Sequence, residues 1–295
     1  MTNNLARRQF FQIAGAAALW PRGTTQGATV PASNTRARLF PGCCAYSYDT
    51  YLQAGKMTME EFIVKAVDFG LLGVDMTVYY LKSTDPAYLV GLRHLAFKNG
   101  VAFSGVGAGT DMCLADRAKR GEAIADIKKW ADATEWLGAS HLRVFGGELP
   151  PGATTEQGVQ WVVEVMKPAC DYCARKGITL GIESHAGITS RAEDILEILR
   201  RVDSPYAGCN LDITHFPERY YENIEMCVPY ATHTHIRDHF DNGEPIDLDR
   251  IWQIFVKGEY KGYMSAEYEG KEDCLTGTPK LIEKIKAMCR KYSSV

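Results

Sequence analysis

Short strand-like runs, mostly apolar, recur along the chain, most of them about five or six residues long, the usual span of a buried strand. Between most of them apolar positions return every three or four residues, the spacing of an amphipathic helix. Read this way, the sequence predicts strands at 39–47, 73–78, 101–106, 141–145, 178–183, 207–212, 231–236 and 263–267. The intervening helices are expected at 58–69, 86–99, 117–137, 155–176, 191–202, around 223–227, at 248–257 and at 279–291. Thr58 and Ser190 read as helix N-caps, Pro86 fits a first helical turn, and Asn99-Gly100 ends a helix. The Gly-rich run Gly105 to Gly109 follows the third strand and is a weak match to a phosphate-holding loop.

Alternation of strand and helix argues a parallel sheet with right-handed crossovers. Eight such units favour closure, because an open sheet leaves two unpaired edges. The expected fold is therefore α/β, a single (β/α)8 TIM barrel occupying 36–295, with no linker or composition shift to mark a second domain. Composition agrees: 46% of the 295 residues are hydrophobic and 23% charged, enough apolar material for one large core.

Polar groups at the C-terminal tips of barrel strands are where this architecture puts its chemistry. Gly181-Ile182-Glu183-Ser184-His185 ends the fifth strand in a carboxylate and an imidazole. Asp212 ends the sixth strand, His235 the seventh and Glu267 the eighth. One such residue alone is as readily a surface or capping group. Four at successive tips of one pole are read as four ligands, Glu183, Asp212, His235 and Glu267, for one divalent metal ion. Three oxygen donors and one nitrogen without thiolate favour Mn2+, with Co2+, Mg2+ or Zn2+ as alternatives.

The segments GIESH, NLDITH, HIRD and AEYEG, in that order and spacing, resemble the xylose isomerase-like TIM barrels. That group includes sugar phosphate isomerase/epimerase proteins, ketose 3-epimerases, inosose dehydratases and DNA repair enzymes of the endonuclease IV type. The resemblance extends over LRVFGG at the fourth strand and NGEPIDL after the seventh. It implies the same four metal ligands, and it implies that Glu183 and Glu267 are catalytic acid/base groups on opposite faces of a substrate. It also implies a substrate contact at His215, three residues after Asp212. His185 stands where relatives carry an Asn-His pair, with Ser184 replacing the Asn, and Arg237 stands where many relatives have lysine. Arg143 and Tyr46 complete the expected substrate-binding set. Asp238 is expected to orient a neighbour, His233 to be a satisfied core histidine, and His141, at the wrong end of the fourth strand, not to be a ligand. Trp136 and Trp161 are expected to pack in the core or between helices.

Charge and leader narrow the setting. The formal net charge of -3 gives no electrostatic case for nucleic acid or an anionic membrane. No run approaches the ~20 apolar residues of a membrane span, so no stable membrane anchor is expected. Residues 1–32 hold Arg7-Arg8 ahead of a short, weakly apolar stretch and resemble a twin-arginine export signal, which implies a periplasmic destination. Nine scattered cysteines are expected to be mostly reduced and buried; Cys170-x-x-Cys173 lies in a helical stretch.

The expected partner is a small-molecule sugar or keto-sugar, and the oligomeric state, monomer or homo-oligomer, stays open. The leading function is a metal-dependent sugar isomerase/epimerase working by proton abstraction next to a carbonyl, through an enediolate. The alternative is a metal-dependent lyase or dehydratase on a keto-sugar, 3-keto-glycoside or inosose, followed by a non-catalytic sugar-binding barrel. A nuclease is disfavoured by the missing extra histidines and the acidic charge.

Overall fold

The computed structural model describes residues 37–293, so the leader reading of residues 1–32 lies outside the described residues. The described chain is a closed parallel barrel in which each strand pairs with the next and the last with the first. The strands are β1 Arg38–Cys44, β2 Gly73–Thr77, β3 Ala102–Asp111, β4 His141–Phe145, β5 Thr179–Glu183, β6 Ala207–Asp212, β7 Ala231–Ile236 and β8 Lys261–Ala266. Around them run α1 Asp49–Gln53, α2 Met59–Asp68, α3 Pro86–Lys98, α4 Arg117–Leu137, α5 Thr155–Ala174, α6 Ala192–Val202, α7 Tyr220–Cys227, α8 Leu248–Lys257 and α9 Cys274–Tyr292.

Alternate strand residues face the helices and form the apolar layer: Val74, Met76, Val106, Leu142, Val144, Leu180, Ile182 and Leu211 are all fully buried. The residues between them point into the barrel, and there the usual branched aliphatics give way to polar groups. Glycines make room for these groups. A Cβ on Gly107 would lie 2.8 Å from Arg143 Nη2, and one on Gly181 2.4 Å from His141 Nε2. Barrel closure thus brings a column of buried acids, imidazoles and one guanidinium onto the axis.

Local signals behave as their chemistry dictates. Thr58 accepts from the Glu61 backbone N–H, and the Glu61 carboxylate accepts from the Thr58 N–H, a reciprocal cap at the start of α2. Gly138 ends α4 at φ 77°, a conformation a side chain would strain. Several boundaries differ from expectation. β1 stops at Cys44 and turns into a 3-10 segment, Ala45–Tyr48. β3 runs through the Gly-rich stretch to Asp111, so those glycines are a strand packed against bulky polar neighbours and not a phosphate loop. α6 is preceded by Arg191 with no side-chain cap, in place of Ser190. α7 begins at Tyr220, and α9 begins at Cys274 under an Asp273 cap, with Pro279 inside the helix. Trp136 is 45% exposed instead of packed between helices, whereas Trp161 is half-buried against the core.

All nine cysteines are free, and all but Cys274 are buried. Cys170 and Cys173 lie within α5, and burial pushes both thiols up, Cys173 to about 11, so neither is a reactive thiolate. No described helix is long and apolar enough to cross a membrane.

Candidate metal centre

Four strands deliver four ligand-type side chains to one point at the C-terminal pole. Glu183 is the last residue of β5 and Asp212 of β6; His235 is next to last in β7, and Glu267 follows β8 directly. One ligand atom from each lies within 4.8 Å of the other three, and each residue is at most 4% exposed. His235 Nδ1 lies 3.2 Å from Glu183 Oε1 and 3.3 Å from Glu267 Oε2. Register explains the convergence, since Asp212 pairs with His235 and Glu183 with Asn210 on neighbouring strands. Thr214 donates to Asp212 Oδ1 from both its N–H (2.9 Å) and its hydroxyl (2.6 Å), which leaves Oδ2 facing the cup.

The interior carboxylates outnumber the guanidiniums that meet them. Asp75, Glu183, Asp212 and Glu267 are buried carboxylates, and the guanidiniums that meet them are those of Arg143 and Arg237. Four carboxylates against two guanidiniums leave an excess that is met either by protonated imidazoles, His235 and His215, or by a bound cation. The imidazole leads to the same fit. Burial raises the Asp75 carboxyl, but His233, His235 and Arg143 outweigh it and hold the group below the usual carboxylate range. An ionised Asp75 only accepts, so the proton between its Oδ2 and His235 Nε2, 2.9 Å apart, sits on the nitrogen. His235 then turns Nδ1 toward two carboxylates. Burial lowers the His235 pKa, while Glu267, Cys44 and Glu183 drive it well above the ordinary value, so that without metal Nδ1 takes up a second proton. A divalent ion at the same point would use that nitrogen as a ligand, and the donor set fits one.

The expected substrate residues surround this cup in unequal ways. His215 is held by Asp241, Nδ1 to Oδ2 at 2.7 Å, with Nε2 3.2 Å from Asp212 Oδ2. Burial lowers its pKa, but Asp212 raises it further, to about 9. The His185 ring lies tilted between Phe145 and His215, with centroids 4.8 and 4.3 Å away, and burial lowers its pKa. Arg237 Nη2 bridges Asp212 Oδ2 (3.1 Å), Glu267 Oε2 (3.3 Å) and Glu269 Oε1 (2.5 Å). Arg143 is 3% exposed and directed at a protein carboxylate, its Nε 2.6 Å from Glu183 Oε2 and its Nη1 donating to Ala108 O. Tyr46, in the turn after β1, lines a cavity of about 730 Å³ together with Tyr268 and Glu269. A neighbouring cavity of about 690 Å³ reaches the cup at Arg237 and Glu267.

Asp238 bonds His239 Nδ1 (2.8 Å) and Lys284 Nζ (2.6 Å), tying the loop after β7 to α9. His233 and His141 stack 5.2 Å apart one layer deeper; His233 Nε2 meets Ser104 and His141 Nε2 meets Thr232, each at 3.1 Å. Sequence reasoning passed over Asp75, Asp241 and Glu269. Asp75 had a signal, a lone carboxylate inside the apolar run Gly73 to Val78, which is costly unless partnered. Glu269 and Asp241 sit in loops, where periodicity carries no information. Burial and the charges of Glu267 and Asp212 outweigh Arg237 and raise the Glu269 carboxyl to about 7.

A closed parallel barrel with a buried carboxylate–imidazole cup at its C-terminal mouth makes this an α/β barrel with a candidate metal centre. Residues 63–292 match the family model described as xylose isomerase-like TIM barrel, and the chain belongs to that family. It is similar to the 3-dehydroshikimate dehydratase of Bacillus anthracis, 23% identical over 121 residues. That stretch covers 40% of this chain and 43% of the dehydratase, less than half the relative's length. Among solved structures it is similar to the D-psicose 3-epimerase of Clostridium cellulolyticum H10 with D-tagatose (TM-score 0.72, 14% identity, 86% of this chain and 99% of that one). It is also similar to the IOLI protein with a bound zinc atom (TM-score 0.69, 16% identity, 88% and 100%). At these identities the structural likeness speaks for the fold.

Proposed function

We propose that this protein is a metal-dependent enzyme that removes the proton beside the carbonyl of a sugar or keto-sugar, with Glu183 and Glu267 as its acid/base pair. The observation that carries the reading is the arrangement of those two glutamates. They come from β5 and from the end of β8, three strands apart, and both reach the same imidazole nitrogen of His235. A substrate resting over the cup has a carboxylate on either side. One takes the proton from carbon and the other returns a proton to the opposite face, which inverts that centre. Glu183, Asp212, His235 and Glu267 would hold a divalent ion, which would supply Lewis-acid stabilisation of the enediolate charge.

The surrounding residues have separable tasks. Arg143 keeps Glu183 ionised: burial raises that carboxyl, and Arg143 and His235 bring it below its ordinary value, as a base requires. His215 and Arg237 face the cup as donors to substrate oxygens, the His185 ring offers a flat contact, and Tyr46 borders the outer cavity. Sugar isomerisation or epimerisation is the first reading. The second is a lyase or dehydratase on a keto-sugar, 3-keto-glycoside or inosose, favoured by the sequence likeness to 3-dehydroshikimate dehydratase. Elimination starts with the same proton removal and differs in what leaves next. Mn2+ is the ion we favour, and the paired arginines of the leader support export by the twin-arginine route to the periplasm.

Incubating a panel of keto-sugars in deuterated buffer, with and without Mn2+, tests the proposal. Metal-dependent deuterium incorporation next to the carbonyl is expected. A thermal shift on sugar binding with no incorporation across the panel would mark a binding protein instead.

A further inference from the structure

We propose that Asp75 is a positioning residue of the metal site, one that accepts a hydrogen bond from His235 Nε2–H and so leaves the Nδ1 lone pair turned toward the ion. The inference rests on the metal-dependent reading above. β2 and β7 are not neighbours in the barrel, so the 2.9 Å contact between Asp75 Oδ2 and His235 Nε2 crosses the lumen. Both residues are essentially buried, at 2% and 0% exposure. The lumen is cleared for this carboxylate, because a Cβ on Gly105 would stand 3.1 Å from Asp75 Oδ1. Oδ1 has no hydrogen-bond partner among the described residues, so the acid is spent on the histidine through Oδ2. A carboxylate on the far nitrogen of a ligating imidazole sets its tautomer, fixes its ring plane and raises its basicity.

Asp75, His233 and His235 also lie at ligand distances from one another. A cation there would need the Nε2 lone pair, which this tautomer has surrendered. The two arrangements therefore exclude each other, and the number of ions bound tells them apart.

The test uses the purified metal-free chain titrated with Mn2+ or Zn2+, and long-range 15N–1H spectra of the zinc-loaded wild type. Asp75→Asn is expected to weaken metal binding by about 10- to 100-fold. Ser104→Ala, which removes the partner of His233 in the layer below, is expected to leave affinity unchanged. In the wild type, His235 is expected to carry its proton on Nε2 with Nδ1 bound to zinc. This spectroscopic readout separates positioning from the loss of one negative charge, and it stands if Asp75→Asn does not fold. Wild-type affinity in Asp75→Asn, a His235 with Nε2 unprotonated, or two ions per chain would each overturn the proposal. A wild type that binds no ion at all would instead remove the metal reading itself.

Discussion

Arg143 and Glu183 are the pair on which the reactive carboxylate depends. Both are almost fully buried and 2.6 Å apart, and the remaining contact of Glu183 is His235. Removing one member of a buried ion pair leaves the other charge desolvated and uncompensated. Arg143→Met is therefore expected to cost about 3–5 kcal/mol of stability in urea denaturation of the metal-free protein. A loss below ~1 kcal/mol would mean that water reaches Glu183 and that the pair is not isolated. For the chemistry, Glu183→Gln and Glu267→Gln keep the shape and remove the base. Each is expected to lower solvent deuterium exchange by about 10²- to 10⁴-fold while the circular dichroism spectrum is retained. Near-normal exchange in either would take that glutamate out of the acid/base pair.

Strand tips were legible because a parallel barrel translates sequence position directly into height along its axis. Glu183, Asp212, His235 and Glu267 each stand at or beside the end of a short strand, and closure alone brings such residues to one rim. Strand interiors were less legible. Nothing in the Gly105 to Gly109 spacing says that the glycines belong to β3, because their reason lies on other strands: Arg143, His141 and Asp75 occupy the space. Asp75 was missed for the complementary reason, since its partner His235 is 160 positions away. Loops carried least. The ion pair of Arg237 with Glu269, and the hold of Asp241 on His215, depend on how two connections fold over the mouth. The β3 account makes its own prediction. Gly107→Ala places a methyl 2.8 Å from Arg143 Nη2 and is expected to cost about 1–3 kcal/mol in the same urea assay, with weaker metal binding as Arg143 shifts. An unchanged unfolding midpoint would show that Arg143 has room to spare.

Across the molecule, the barrel axis is a polar column from His141 and His233 at its floor to the carboxylate cup at its mouth. The two floor histidines are buried as neutral rings. Burial is the main cause of their lowered pKa values, well below the ordinary value for His141 and about 4 for His233. Because the folded values lie below the ~6.5 of an unfolded histidine, the unfolded chain binds more protons as the solution is acidified. Their contribution is complete above ~6.5 and is lost as pH falls toward 4. The metal-free protein is expected to show a urea midpoint that declines through this window, and a flat profile would contradict the buried neutral state.

The central claim, four distant side chains sharing one ion, is tested most directly by metal stoichiometry on the purified chain. Elemental analysis after saturation with Mn2+ and removal of free ion is expected to find one equivalent in the wild type. In the folded double variant Asp212→Asn/Glu267→Gln it is expected to find essentially none. One equivalent retained in that variant, or none in the wild type, would contradict the account.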